Sequence, residues 1–149
     1  MFRNNNNGAV IVSACLIGIE CRYDGGDAFN KKITSILRAN TFFPVCPEQL
    51  GGLGTPRMPS VLNGGDGEKV WQGTARVINS KGEDVTEQFV RGAREVLKLA
   101  KMFNVKKAYL KSKSPSCGCG SVYINGKLAK GNGVLAYLLR DYGIEVTAV

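Results

Sequence analysis

The chain has 149 residues, of which 44% are apolar, and 20 Lys and Arg stand against 12 Asp and Glu, for a formal charge of +8. That length suits one core of ordinary size, so the reading is a single domain over 1–149, and the mix excludes a disordered chain or a mini-protein that needs staples. No histidine occurs, which removes the commonest general base and every Cys/His zinc pattern.

The polar stretch Asn4 to Asn7 reads as a frayed end, and residues 1–7 are expected to lack order. Ala9 to Cys15 is a continuous apolar run rich in branched residues and reads as a strand buried on both faces. Lys31 to Ala39 follows as a short helix, with Ile33, Ile36 and Leu37 on one face. Thr41 to Cys46 is a second strand stopped by Pro47, and Gly51 to Gly67 is a long turn-rich connection of the kind that lies over sites. Val70 to Val77 with the Asn79-Ser80-Lys81-Gly82 turn suggests a small hairpin. The clearest helix spans Thr86 to Phe103, with Phe89, Ala93, Val96, Leu97 and Ala100 at helical spacing and Asp84 or Thr86 as cap.

Ala108 to Leu110 gives a third core strand, and Ser121 to Lys127 a hairpin around Asn125-Gly126. Asn132 to Tyr142 forms a helix closed by Gly143, and Ile144 to Val149 a last strand. This alternation argues for a single three-layer α/β domain with a mainly parallel, Rossmann-like sheet and small hairpin excursions. Gly131-Asn132-Gly133 has the look of a phosphate turn, but no Gly-x-Gly-x-x-Gly follows a strand, and a tight turn is the better reading.

The five cysteines, Cys15, Cys21, Cys46, Cys117 and Cys119, are an odd number in a chain that is not Cys-dense, so they read as thiols of a reducing cytoplasm. Too few apolar residues precede Cys15 for a signal peptide, and no run approaches a membrane span. Three of the five sit in Gly/Pro/Ser-rich turns directly after a strand: Ser13-Ala14-Cys15, Pro44-Val45-Cys46-Pro47-Glu48 and Ser114-Pro115-Ser116-Cys117-Gly118. In an open parallel sheet the loops at the carboxyl ends gather in one crevice, where three thiolates would make a metal or iron–sulfur site. Structural zinc closes with four ligands, commonly in Cys-x-x-Cys pairs, which are absent. Three cysteines on a four-iron cluster leave one iron open as a Lewis acid toward a soft atom. The plain alternative is that cysteines pack as small hydrophobes, and for Cys21 and Cys119 that reading is preferred.

Five blocks together, Val12-Ser13-Ala14-Cys15-Leu16-Ile17-Gly18, Arg22-Tyr23-Asp24-Gly25, Pro44-Val45-Cys46-Pro47-Glu48, Gly51-Gly52-Leu53 with Thr55-Pro56-Arg57, and Ser114-Pro115-Ser116-Cys117-Gly118, resemble the DUF523 family, whose characterised members are thiouracil desulfidases. The likeness covers nearly the whole chain. It implies an oxygen-sensitive 4Fe-4S cluster, lost from protein handled in air, with Cys15, Cys46 and Cys117 as its ligands. It also implies non-redox replacement of substrate sulfur by water, with Glu48 and Ser114 handling protons and orienting water or substrate. Cys21 is a departure, since the family pattern does not require cysteine there.

Ser13, Arg22, Asp24, Arg57, Ser112 and Ser116 are further candidates for the pocket. Ser112, Ser114 and Ser116 also suit plain turns, Glu48 an exposed turn cap, and Arg22 and Asp24 a pair that pins the first loop. The expected substrate is a small thiolated base or nucleoside. The basic surface leaves tRNA open, although no RNA-binding signature is present. Two other functions stay in view: a cluster-binding or redox-sensing protein without catalysis, and a basic nucleic-acid-binding module whose cysteines are structural.

Overall fold

The computed structural model describes residues 8–149; the stretch read as a frayed end, residues 1–7, lies outside them. In chain order the elements are β1 (Val10–Ser13), a 3-10 turn (Ala14–Ile17), α1 (Lys31–Arg38), β2 (Phe42–Val45), α2 (Pro47–Leu50), β3 (Ser60–Asn63), α3 (Gly67–Trp71) and β4 (Arg76–Asn79). There follow α4 (Thr86–Met102), β5 (Lys107–Leu110), β6 (Ser121–Ile124), β7 (Lys127–Lys130), α5 (Val134–Asp141) and β8 (Glu145–Ala148).

The four apolar runs expected as core strands form one sheet in the order β2-β1-β5-β8, parallel throughout. All four residues of β1 are buried, and the pleat sends alternate side chains to opposite layers. Val10 and Val12 pack with Ile33 and Leu37 of α1. Ile11, with Ala108 and Leu110 of β5, faces the larger core built on Phe89, Ala93 and Val96 of α4 and on Leu135 and Leu139 of α5. Helix α1, the sheet, and the α4/α5 pair are thus the three expected layers. From β1 the chain passes to β2 on one side and later to β5 on the other, which puts the topological switch point between β1 and β5, where such sheets open a crevice beyond their carboxyl ends.

Local chemistry fixes the helix starts. The Asn30 side chain accepts from Lys32 N at 3.0 Å and caps α1. Asp84 Oδ1 accepts from Thr86 N at 2.9 Å, and Thr86 Oγ1 accepts from Val77 N at 2.8 Å, tying the start of α4 to β4.

The expected excursions assemble into a second sheet, ordered β4-β3-β6-β7. The hairpin around Asn125-Gly126 is present as β6–β7, with φ of 51° and 79° at the two turn residues, as a tight primed turn requires. The Val70 to Val77 region differs from expectation. Val70 belongs to α3, and the antiparallel partner of β4 is β3, which lies inside the Gly51 to Gly67 connection. Leu62, Val77 and Val122 of this sheet join the large core. Among the described residues no helix is long and apolar enough to cross a membrane.

Two close approaches place the loops of the first sheet. A Cβ on Gly92 of α4 would sit 1.8 Å from Pro47 O, and one on Gly51 would sit 1.9 Å from Gln88 O. Helix α2 therefore lies against the α4 backbone, which fixes the loop that carries Cys46 and Glu48. At the start of α5, the backbone N–H groups of Val134 and Leu135 donate to Pro115 O and Ser116 O, each at 2.9 Å. The Gly131-Asn132-Gly133 turn seats the Cys117 loop on the helix, and those N–H groups are satisfied by backbone rather than offered to a phosphate.

Candidate active site

The carboxyl ends of β1, β2 and β5 open into a cavity of about 340 Å³. Its lining includes Ser13, Cys15, Arg22, Cys46, Glu48, Arg57, Ser112, Ser114, Ser116 and Cys117, each of them singled out from sequence. Asp24 is not among the lining residues. Its Oδ1 accepts from Gly26 N at 2.9 Å within its own turn, and Arg22 reaches toward Asp27 O rather than pairing with Asp24.

Each thiol is set by its strand end. Cys15 lies in the 3-10 turn after β1, and Ser13 Oγ accepts from Lys111 N at 2.9 Å, locking the end of β1 to the residue that follows β5. Cys46 occupies the N-cap position of α2, with Pro47 opening the helix and Glu48 in its first turn. In the third loop Ser114 Oγ accepts from Ser116 N at 3.2 Å and Cys117 N at 3.1 Å. Those two bonds fill the acceptor sites of the Ser114 hydroxyl. Its proton is therefore the one that bridges the 3.0 Å gap to Ser116 Oγ, and Ser116 Oγ in turn donates to Glu48 Oε2 at 2.9 Å.

The other carboxylate oxygen, Glu48 Oε1, accepts from Arg57 Nε at 3.1 Å, in a pair whose side chains are 15% and 9% exposed. Arg57 is itself held by Gly54 O, Thr55 Oγ1 and Cys21 O. Glu48 thus receives donors on both oxygens, the arrangement of an ionised carboxylate that accepts. Ser116 is 2% exposed and sits between Glu48 and Ser114. The family resemblance singled out Ser114 for the proton-handling role, whereas it is Ser116 that touches Glu48; the direction of the chain, from Ser114 through Ser116 to Glu48, appears only once acceptor sites are counted.

The thiols sense one another. Contact with the Cys21 thiol is the main influence holding Cys15 below the ordinary thiol range, against burial and the charges of Cys117 and Cys46. Cys46 is raised, first by its contact with Cys21 and then by burial. Burial pushes Cys117 up to about 12. Cys21, expected to pack as a small hydrophobe or lie as a peripheral thiol, is 2% exposed in the smaller apolar core and also lines the cavity. Cys119 lies outside it, with Sγ toward Val146 O and Arg140. Lys111, Lys113, Tyr23, Ser60 and Tyr123 also line it, and sequence did not single them out as site residues. For the two lysines the signal was their place directly after a core strand; for Ser60 and Tyr123, on the second sheet, there was none.

Among the described residues no group of three or more His, Cys, Asp or Glu side chains is gathered closely enough to hold a single metal ion. Three thiols spread around one cavity, without histidine, suit a larger sulfur-bound group better than a lone ion.

Known proteins resemble this chain in sequence and in fold. The family model described as 2-thiouracil desulfurase matches residues 10–149. A protein of Bacillus subtilis (strain 168), called uncharacterized protein YbbK, is 45% identical over 140 residues, which is 92% of this chain and 93% of that protein. A solved structure of the 4Fe-4S-dependent thiouracil desulfidase TudS (DUF523Vcz) superposes with a TM-score of 0.80 at 36% identity, covering 95% of this chain and 91% of that one.

Proposed function

The chain belongs to the 2-thiouracil desulfurase family, and from that premise we propose that it removes sulfur from thiolated pyrimidines, with a 4Fe-4S cluster held by Cys15, Cys46 and Cys117 and with Glu48 as the proton-handling group. The observation that carries this reading is the convergence of three strand-end thiols and a doubly held carboxylate on one cavity. The donor set fits the cluster: all sulfur, without histidine, supplied by three separate loops that line one cavity.

The overall reaction replaces C=S by C=O, consuming one water and releasing one hydrogen sulfide, with no electrons exchanged. When bound, the cluster supplies a thiophilic metal toward which the leaving sulfur is directed. The chain's own residues supply the rest. Glu48, the ionised acceptor of the cavity, takes a proton from the attacking water. Arg57 on Oε1 and Ser116 on Oε2 fix the plane of that carboxylate. Ser114 acts through Ser116 and holds the Cys117 turn through two backbone N–H groups. Packing of α2 on α4 keeps Glu48 at the cavity wall. A volume of about 340 Å³ is near the small end for ligand pockets and suits a base or nucleoside.

The reading of the cysteines as structural packing has less support, because four of the five line one cavity with Glu48 and Arg57. A cluster carrier or sensor has no need for a carboxylate clamped from both sides.

The test is anaerobic. Reconstituted protein is mixed with thiouracil, and sulfide and uracil are measured together; equal amounts are expected. Glu48→Gln should keep its iron and lose roughly a hundredfold or more in rate, the scale of lost general base catalysis. Loaded wild-type protein that releases no sulfide from free base, nucleoside or thiolated tRNA would favour the carrier or sensor reading instead.

A further inference from the structure

The reaction outlined above uses one N–H of Arg57, the Nε donor to Glu48 Oε1 at 3.1 Å. A guanidinium has five donors in a rigid plane, and the side chain is 9% exposed, so the other four need partners within the protein. Nη1 donates to Gly54 O at 3.1 Å and to Thr55 Oγ1 at 3.0 Å. Nη2 donates to Cys21 O at 2.9 Å and, in a longer contact, to Cys46 Sγ at 3.9 Å. The main chain is fixed as well, with Arg57 N donating to Tyr23 O at 2.8 Å. One charged plane thus touches both the carboxylate proposed as base and the sulfur of a proposed ligand.

These contacts differ in what metal binding does to them. The Cys46 thiol now donates to Cys21 O at 3.7 Å, and that bond is lost on ligation, because a ligand thiol gives up its proton. Arg57 keeps its protons whatever the state of the thiol. Its N–H toward Cys46 Sγ therefore outlasts loading, and it gains strength once the sulfur carries negative charge. A donor and a positive charge at a ligand sulfur favour the reduced form of a cluster. A lysine would supply the charge without the planar fork that serves both partners.

We propose that Arg57 is a positioning residue of the metal centre as well as of Glu48: its Nη2 donates to the Cys46 sulfur in the loaded protein and raises the reduction potential of the cluster held there, while Nε keeps the carboxylate in the same plane. The inference rests on the reading of Cys46 as a ligand.

The experiment compares wild type, Arg57→Met, Arg57→Lys, Glu48→Gln, and Arg57→Met combined with Glu48→Gln, all reconstituted anaerobically. Iron and sulfide per chain, the electron paramagnetic resonance spectrum of the reduced protein, and the midpoint potential are measured. Arg57→Met should lower the reduced-to-oxidised ratio at a given potential by roughly tenfold, which is about 59 mV for one electron. The same fall should separate the double variant from Glu48→Gln. If Arg57 acts only through the Glu48 charge, the double variant and Glu48→Gln have the same potential and spectrum, and the proposal is overturned. Arg57→Lys should lie between wild type and Arg57→Met with a shifted spectrum; wild-type values there would mean that charge alone matters and would overturn the bond to sulfur. If Arg57→Met strands Glu48 and does not fold, the double variant, which removes both charges, carries the comparison. A double variant that is folded by circular dichroism and takes up no iron also refutes the proposal, since the bond tunes a site that the thiols hold. A loaded wild type without desulfidase activity sinks the functional reading alone, because the potentials are compared without turnover; a wild type that never loads sinks both.

Discussion

Replacing Ser116 by Ala removes the donor to Glu48 Oε2 at 2.9 Å while leaving every proposed cluster ligand in place. A hydrogen bond to a charged group contributes about 1.5–3 kcal/mol and about 1.4 kcal/mol is tenfold, so losing this bond from the reacting complex should slow turnover by roughly 10- to 150-fold. Ser114→Ala is the informative contrast. Ser114 Oγ accepts from Ser116 N and Cys117 N, so its loss strands N–H groups at a cost of about 1–3 kcal/mol each and loosens the Cys117 turn. Ser116→Ala should therefore load normally and react slowly, whereas Ser114→Ala should load less cluster and melt earlier. The assay is iron and sulfide per chain, melting temperature, and sulfide release per loaded cluster. Wild-type turnover per cluster in Ser116→Ala, or full loading with unchanged melting in Ser114→Ala, would refute the ordering of this chain.

Removing the thiol at Cys15, Cys46 or Cys117 should abolish stable loading, while Cys119→Ala, whose sulfur lies outside the cavity, should leave iron content unchanged; iron analysis after anaerobic reconstitution decides. Gly92→Ala would drive a Cβ to 1.8 Å from Pro47 O; overpacking of about 1–3 kcal/mol should lower the melting temperature by roughly 2–12 °C and reduce loading through displacement of Cys46. Asp84 is held down to about 2 by its bonds to Thr86 and Arg76. Its contribution is complete above the ordinary carboxyl value near pH 4 and is lost as pH falls toward 2, so apo wild type should lose more stability than Asp84→Asn across that window, read by acid titration of circular dichroism.

Strand β1, inside the first sheet, was legible because burial on both faces writes a nearly continuous apolar run from Val10 to Ser13. In the second sheet the β6–β7 hairpin was legible from Asn125-Gly126, but β3 and its pairings with β4 and β6 were not. In β3 only Leu62 is buried, and in β6 only Val122, so neither carries a periodic signal, and they are joined by long-range pairing at Leu62 and Ile124. Helices α2 and α3 are hidden for a similar reason, each being about one turn long inside Gly- and Pro-rich sequence. The three thiols were visible from their turns, and Glu48 only through the family resemblance, since its own turn equally suits an exposed cap. The place of Cys21 was not, because Arg57, from a distant loop, sets its contact with Cys46. Pairing between Arg57 and Glu48 likewise depends on how the connection after α2 folds back.

The cavity has a floor and a wall of separate origin. Its floor comes from the strand ends of the parallel sheet, which carry the thiols and Glu48, and one wall comes from the second sheet, through Ser60 of β3 and Tyr123 of β6. Tyr123 is 43% exposed and is not part of either apolar core. The wall is thus free to drift while the floor is constrained by the fold. Descendants of one ancestor can diverge in what they admit without relearning how to hold a cofactor, and variation at positions 60 and 123 is where such divergence is to be sought.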